Sequence, residues 1–341
     1  MAREESRLFE IPGVCKVGEG VGRFLRLVNQ AQEIGVLVGL IALCVLFAVF
    51  SPNFLTIFNL LRVVRQISYI GIMAIGMVFV ISSGEIDLSV GSTYLLVQVV
   101  TAYLLQELKI PVWIAVGAGV GLGMFCGFVN GVLSVALQIP TIIVTLGTMS
   151  IYRGISLVLC RGRSITNFDK NNAFFRIVGG NISYVPMSVV IMIGMGVLFA
   201  IVYSRGVLGR HACAIGSNPE AARVTGVKIT RVRLAVLTLM GFIVAVSALV
   251  GFAFLESADP SVGQGYELLT IAAVIIGGTA LRGGSGSVIG ALLGAVIIGV
   301  IQNGLLLMGF TMYWSIIVTG VIIIIAVAIN SLVTRRQRRV G

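Results

Sequence analysis

Residues 112–136 read VWIAVGAGVGLGMFCGFVNGVLSVA, twenty-five positions without one charged side chain. A helix needs about 20 predominantly apolar residues to cross a bilayer, so this stretch is long enough to do so. Its glycines carry further information. Gly119, Gly123, Gly127 and Gly131 recur every four residues, which places them on one helix face. Lipid supplies no hydrophobic drive for helix pairing, so small residues at this spacing favour close backbone contact. Tight intramembrane packing is the plain expectation, with a subunit interface or a moving face as alternatives. Gly286, Gly290 and Gly294 repeat the pattern further along, and Gly299 and Gly304 continue it at a step of five.

One apolar run can be a buried helix of a soluble protein, but a series of them cannot. Ten are read: 34–50, 67–83, 89–106, 112–136, 140–160, 186–204, 233–255, 267–281, 287–307 and 312–330. The whole 341-residue chain is 57% hydrophobic and only 11% charged, less than half the ~25% usual for soluble domains. Its mean hydropathy is +1.06. An ordinary soluble enzyme, a disordered chain, a single-pass anchored protein and a nucleic-acid binder are excluded, the last despite a net charge of +11. The expected fold is all-α, a polytopic transmembrane bundle of about ten spans.

Lys and Arg placement sets the direction. With the N-terminus inside, the leader carries five, 205–233 six, Arg282 one and the tail four, or sixteen of the twenty-four basic residues. Both termini are therefore expected in the cytoplasm. The expected organisation is a cytoplasmic leader over 1–33, a transmembrane domain over 34–330 and a basic tail over 331–341. The leader is not a cleavable signal peptide, because no short apolar core follows a basic start. It has room for an interfacial helix near 20–32, and the tail arginines read as a stop-transfer anchor or a contact with membrane lipid. Two polar connections stand out, 161–185 outside and 205–232 inside. Cys15, Cys44, Cys126, Cys160 and Cys213 are scattered without ligand-like spacing and read as apolar packing.

The inside connection contains a helix with both ends marked. Asn218 is a good N-cap, Pro219 fits the first helical position, and Glu220 sits where the helix dipole favours an anion. Ala221, Ala222 and Arg223 continue it and Gly226 can end it. So short a helix is not stable alone and must dock, either on the membrane surface or on a soluble partner. Ala221 and Ala222 allow close approach, and Arg210, His211 and Arg223 can meet acidic groups. The residues alone leave both readings open. The Gly-rich stretch at 282–286 lacks the Lys-Ser/Thr ending of a P-loop, and no P-loop occurs elsewhere. It reads as a flexible turn, and the chain is not expected to hydrolyse ATP.

Four elements, taken in order, resemble ABC importer permeases of the ribose/xylose/arabinose/galactose family. They are Gly84-Glu85-Ile86-Asp87-Leu88-Ser89-Val90-Gly91-Ser92, Pro140-Thr141-Ile142-Ile143-Val144-Thr145-Leu146-Gly147-Thr148, Tyr152-Arg153-Gly154, and Ala214-Ile215-Gly216 followed by Asn218-Pro219-Glu220-Ala221-Ala222-Arg223. The resemblance covers roughly 35–330 and departs at Glu85, where the family more often has Gly. It implies the membrane subunit of a monosaccharide importer in a bacterial or archaeal plasma (inner) membrane. Two permease copies, identical or not, would form the path. A separate ABC ATPase subunit would carry ATP and Mg, so that this chain binds no cofactor or metal. A periplasmic or lipid-anchored binding protein would deliver the sugar. Arg210 and Asn218 through Arg223 would couple to the ATPase.

A path or gate is sought among intramembrane polar groups. Glu85 and Asp87 are the only acidic residues between two closely spaced spans, and flanking Ser and Gly, including Ser89, favour a broken or re-entrant segment. The bland alternative is a cytoplasmic turn in which Asp87 caps the next helix. Thr141, Thr145 and Thr148 share one face and either satisfy their own backbone or line a weakly polar path. Asn130, Gln302 and Asn303 read as interhelical hydrogen-bonding groups, and Trp113 and Trp314 as interfacial anchors. A secondary carrier or channel, or an ABC permease for nucleosides, are the alternatives. A carrier would be favoured by paired intramembrane charges or an inverted repeat, and neither is read. No nucleophile–base or metal constellation supports a membrane enzyme.

Overall fold

The computed structural model describes residues 35–169 and 171–311, together with scattered positions up to 328. The leader with its expected helix at 20–32, the basic tail and much of the expected span 312–330 lie outside the described residues. The chain is mostly helical. Among the described residues six helices are long and apolar enough to cross a membrane: α2 (Ile57–Ser82), α4 (Val112–Ala136), α5 (Thr141–Cys160), α7 (Met187–Arg205), α10 (Ile229–Leu255) and α12 (Val288–Leu307). Three apolar helices are shorter, α1 (Gly35–Phe50), α3 (Val90–Gln106) and α11 (Tyr266–Ile276). The connections hold α6 (Ala173–Val178), a two-strand hairpin of β1 (Asn181–Ile182) and β2 (Val185–Pro186), α8 (Val207–Ser217) and α9 (Pro219–Val224).

Local chemistry explains the helix starts. Pro111, Pro140 and Pro186 stand immediately before α4, α5 and α7, each in an extended conformation that the pyrrolidine ring favours and that a helix cannot continue backwards through. The hydroxyl of Ser287 accepts the Gly290 N–H at 3.0 Å and so caps α12.

Two expected spans differ from the reading above. The run 67–83 belongs to a helix that begins ten residues earlier, so Arg62 and Arg65 lie within α2. Arg62 sits over the Phe58 ring and Arg65 over Phe254, contacts that let a charged side chain sit on an apolar helix. The run 267–281 forms only an 11-residue helix, too short to cross a bilayer by itself.

The core is built around α2 and α10, whose ends oppose one another. In α2 every residue from Ile67 to Ser82 is buried, as expected of a helix that is apolar all round and sits at the centre of a bundle. Ser247 of α10 donates to the Tyr69 carbonyl of α2 at 2.8 Å. The helix first quoted, α4, packs its glycine face on α10. A Cβ at Gly127 would stand 2.1 Å from the Leu237 carbonyl oxygen, and one at Gly241 would stand 2.1 Å from that of Gly123. The four-residue glycine spacing thus marks helix–helix packing, as expected. In the expected polar connection 161–185, Phe174 and Phe175 of α6 are buried against Phe252, which fastens that connection to the end of α10.

Gly127→Val is expected to destabilise the detergent-solubilised protein by about 1–3 kcal/mol or more, because two backbones must separate to admit the side chain. Gly121→Val, where a Cβ meets nothing within 4 Å, is expected to leave the midpoint unchanged. Thermal unfolding of the two variants side by side checks the pair.

Candidate functional site

The segment between α2 and α3 does not form a turn in solvent. Asp87 is only 3% exposed, and Ser89 1%. Asp87 Oδ1 accepts the Ser89 N–H at 2.8 Å and the Ser89 hydroxyl at 2.7 Å. Asn130 of α4 donates to the Ser89 hydroxyl oxygen at 2.8 Å, and Tyr152 of α5 donates to the Asn130 carbonyl oxygen at 3.2 Å. The Leu88 N–H donates to Thr145 of α5 at 3.1 Å. The backbone of a broken helix thus enters the bundle, where Thr145 of α5 takes the Leu88 N–H and Asn130 of α4 holds the Ser89 side chain. Asp87 is not a helix cap here. It closes a turn ahead of α3, whose N-cap position is Ser89.

The threonines keep to their shared face, and that face is buried. Thr141 exchanges a hydrogen bond with Ser134 at 2.9 Å, Thr145 meets Leu88, and Thr148 donates to the Thr145 carbonyl at 3.4 Å. The apolar residues Ile143, Leu146, Ile151 and Val158 lie on the exposed side of α5. Glu85 pairs with Arg233 in the first turns of α10, which gives this acidic position a definite partner. Asn303 and Asn59 exchange two amide bonds of 2.9 Å between α12 and α2, the interhelical role expected of Asn303. Gln302 instead lines a cavity.

A second break follows α10, and it repeats the first. Residues 87–96 and 259–268 share Asp, Ser, Val, Gly, Tyr and Leu at identical offsets, D-x-S-V-G-x-x-Y-x-L. The geometry repeats with the letters. Asp259 Oδ1 accepts the Ser261 N–H at 2.8 Å and its hydroxyl at 2.5 Å. A bond from Ser164 at 2.6 Å, together with these two, holds the Asp259 carboxyl below the usual aspartate range. The two breaks touch. A Cβ at Gly91 would stand 2.1 Å from the Gly263 carbonyl oxygen, one at Gly263 would stand 2.3 Å from that of Gly91, and the Tyr94 and Tyr266 rings meet edge to face at 5.3 Å.

From this crossing α3 and α11 run to opposite ends of the bundle. Gln106 at the end of α3 donates to Thr166 in the long connection, whereas the turn after α11 reaches Gly84 and Gly216. The packing follows the same symmetry: α2 on α12 matches α10 on α4, and α11 on α12 matches α3 on α4. The expectation that no inverted repeat is present is therefore corrected. Comparing the chain with itself would have shown the matching decapeptides.

At the end of the bundle away from 161–186, the connection 205–232 holds two helices, where one was expected. The shorter is α9. Asn218 Oδ1 accepts the N–H groups of Glu220 and Ala221, each at 3.0 Å, with Pro219 at the first position, and Gly226 follows the helix at φ +87°. Ala222 is buried, while Pro219, Glu220, Ala221 and Arg223 are exposed. Val224 joins them at 88% exposure, a residue the sequence reading passed over because one valine beside a glycine carries no pattern. Arg210 lies on α8 and donates to the Arg205 carbonyl at 2.6 Å, joining α8 to the end of α7.

Near the opposite end a cavity of ≈ 710 Å³ lies between α2, α11, α12 and the β1–β2 hairpin. Its polar lining includes Arg65, Gln66, Tyr69, Asn181, Tyr266 and Gln302. A neighbouring cavity of ≈ 650 Å³ shares Gln66, Tyr266 and Gln302 with it. Among the described residues no group of three or more His, Cys, Asp or Glu is placed to hold a metal.

Comparison with known proteins places this architecture. The family described as "Branched-chain amino acid transport system / permease component" matches residues 59–327. The ribose import permease protein RbsC of Bacillus subtilis (strain 168) is 36% identical over 299 residues, covering 88% of this chain and 92% of that protein. The ribose import permease of Escherichia coli (strain K12) is 38% identical, with 86% and 92% covered. The L-arabinose transport system permease protein AraH of the same strain is 32% identical over 309 residues, with 91% and 93% covered. The chain thus belongs to this family of ABC import permease components, multi-span membrane subunits that serve transport and are not enzymes.

Proposed function

We propose that the chain is the membrane subunit of an ATP-driven importer that passes a monosaccharide, a ribose-like pentose or a hexose. The observation that carries the substrate class is the 32–38% identity to ribose and L-arabinose permeases over about nine tenths of the length. In this reading both termini lie in the cytoplasm and 161–185 faces outward. A second permease copy completes the path, and an extracytoplasmic binding protein delivers the sugar. The exposed residues of α9, with Val224, form the docking face for the ATPase subunit, which brings its own ATP and Mg.

The cavity beside the β1–β2 hairpin offers a polyol hydrogen bonds from Gln66, Gln302, Tyr69 and Arg65 among apolar walls. The gate is assigned to the break below it. Glu85, Asp87, Ser89 and Thr145 make the bonds at that break, and Thr141 and Thr148 stand on the same buried face of α5 as Thr145.

A secondary carrier is the second reading, favoured by the inverted repeat with interrupted helices. The family description also names branched-chain amino acids. One experiment separates all three. The chain is expected to co-purify with a Walker-motif ATPase and, in proteoliposomes with its binding protein, to take up ribose or arabinose only when ATP is inside. Uptake by the chain alone overturns the importer reading, and uptake of leucine in preference to sugars overturns the substrate class.

Ala221→Trp and Arg223→Glu, on the exposed face of α9, are expected to weaken ATPase association by at least about tenfold, ~1.4 kcal/mol, as read by pull-down titration. Gln302→Trp is expected to lower sugar uptake severalfold while the complex still assembles. Normal uptake by that variant would remove the cavity from the path.

A further inference from the structure

Three backbone segments meet where α8 ends. A Cβ at Gly216 would stand 2.1 Å from the Ser82 carbonyl oxygen, 2.5 Å from the Gly284 nitrogen and 3.0 Å from the Gly283 Cα. The Gly284 N–H donates to that same Ser82 carbonyl at 2.9 Å. Gly283 and Gly284 have φ of +85° and +90°, backbone that side chains other than glycine rarely adopt. The Gly-rich turn expected to be flexible is therefore fixed, by contact with α8 on one side and the end of α2 on the other. A side-chain chain runs alongside. The Tyr203 hydroxyl lies 2.7 Å from the Ser82 hydroxyl and 3.1 Å from the Cys213 sulfur, so α7, α8 and the end of α2 are linked. Three residues beyond Ser82, Glu85 is paired with Arg233 in the first turns of α10.

The position of this joint gives it meaning. Ser82–Gly84 leads directly into the first Asp-x-Ser-Val-Gly break, and the turn at 280–286 follows directly from α11, the half-helix of the second. The element that carries α9 therefore touches both halves of the inverted repeat at one point. Gly216 lies only two residues before the Asn218 cap, with no flexible linker between. A packed contact without Cβ atoms has no side chain to yield, so displacement of α8–α9 has to move both neighbours.

We propose that the Gly216–Gly283–Gly284–Ser82 joint transmits movement of the α8–α9 element to both broken helices at once. Gly216, Gly283 and Tyr203 are then positioning residues for transport. The proposal rests on the reading of the chain as an ATP-driven importer. It gives the coupling element a defined route into the bundle, through the contact that joins it to the two breaks.

The test uses the assembled complex of permease, ATPase and binding protein in proteoliposomes. Radiolabelled ribose uptake and ATP hydrolysis are measured in the same vesicles. Gly216→Ala is expected to lower uptake by about tenfold while hydrolysis per assembled complex stays near wild type, so the ATP spent per sugar rises. Tyr203→Phe removes two contacts without changing volume and is expected to raise the same ratio by about two- to threefold.

A residue needed only for folding lowers complex yield, hydrolysis and uptake in parallel and leaves the ratio unchanged. That result in both variants overturns the joint. Should Gly216→Ala not assemble, the ratio for Tyr203→Phe decides, and a wild-type value overturns it. Absence of ATP-dependent uptake in the wild-type complex overturns instead the importer reading on which the proposal stands.

Discussion

A helix that breaks inside an apolar bundle leaves peptide groups where no water reaches them, and each one left unpaired costs several kcal/mol. The arrangement of α2 to α5 follows from meeting that demand at residues 83–89. Asp87 supplies two acceptor bonds in place of the missing helical turn, but a buried carboxylate is itself costly and needs ordered donors. Ser89 gives both of its donors. Ser89 then accepts from Asn130 and Asn130 from Tyr152, so the cost is passed outward through α4 to α5. Thr145 takes the Leu88 N–H. These helices can therefore neither slide nor rotate independently without leaving a polar group unpaired. At the second break the same turn is built on Asp259, and the chain around α5 helps, with Ser164 just after α5 donating to Asp259 and Arg153 of α5 to the Pro260 carbonyl.

What the sequence made legible was whatever depends on near neighbours. Helix α9 could be read residue by residue because capping is decided within four positions, and Asn218 caps as its chemistry requires. The long apolar runs were legible for the same reason. The depth of the first break was not. Asp, Ser and Gly suit a surface turn and a buried break equally well, and the choice rests on Asn130, Thr145 and Tyr152, which lie on other helices. The start of α2 was missed because Arg62 and Arg65 interrupt the apolar run, and only the fold shows that Phe254 and Asn181 stand where Arg65 can use them. Helix α8 was missed because Arg210 and His211 obscure its periodicity, while its buried face is only Gly209, Ala212 and Ile215.

The Gly-rich turn at 282–286 shows the limit of composition as a guide. Glycine removes a steric restraint, and whether this gives freedom or contact depends on what lies alongside. On a solvent-facing loop it gives freedom. Here Gly216 and Gly84 lie against it, and the absence of Cβ atoms lets three backbones approach as closely as two helices do at Gly127 and Gly241. The same property that suggested mobility produces a fixed junction.

An inverted repeat also raises the question of how such a core acquires a direction. Two halves that share a D-x-S-V-G turn and run oppositely from a common crossing treat the two ends of the bundle alike. The asymmetry enters through the connections. One end carries the connection from α5 to α7, whose hairpin residue Asn181 holds Arg65 and whose Ser164, ahead of α6, holds Asp259. The other carries α8 and α9, which meet the core at Gly216 and leave a short capped helix exposed. The breaks themselves diverge to match. Asp87 is buried among helices, while Asp259 stays accessible and bonds to a loop. A nearly symmetric core is thus made directional by the different segments attached at its two ends, and residues that distinguish the ends are to be sought in those attachments and in the positions where the two decapeptides differ.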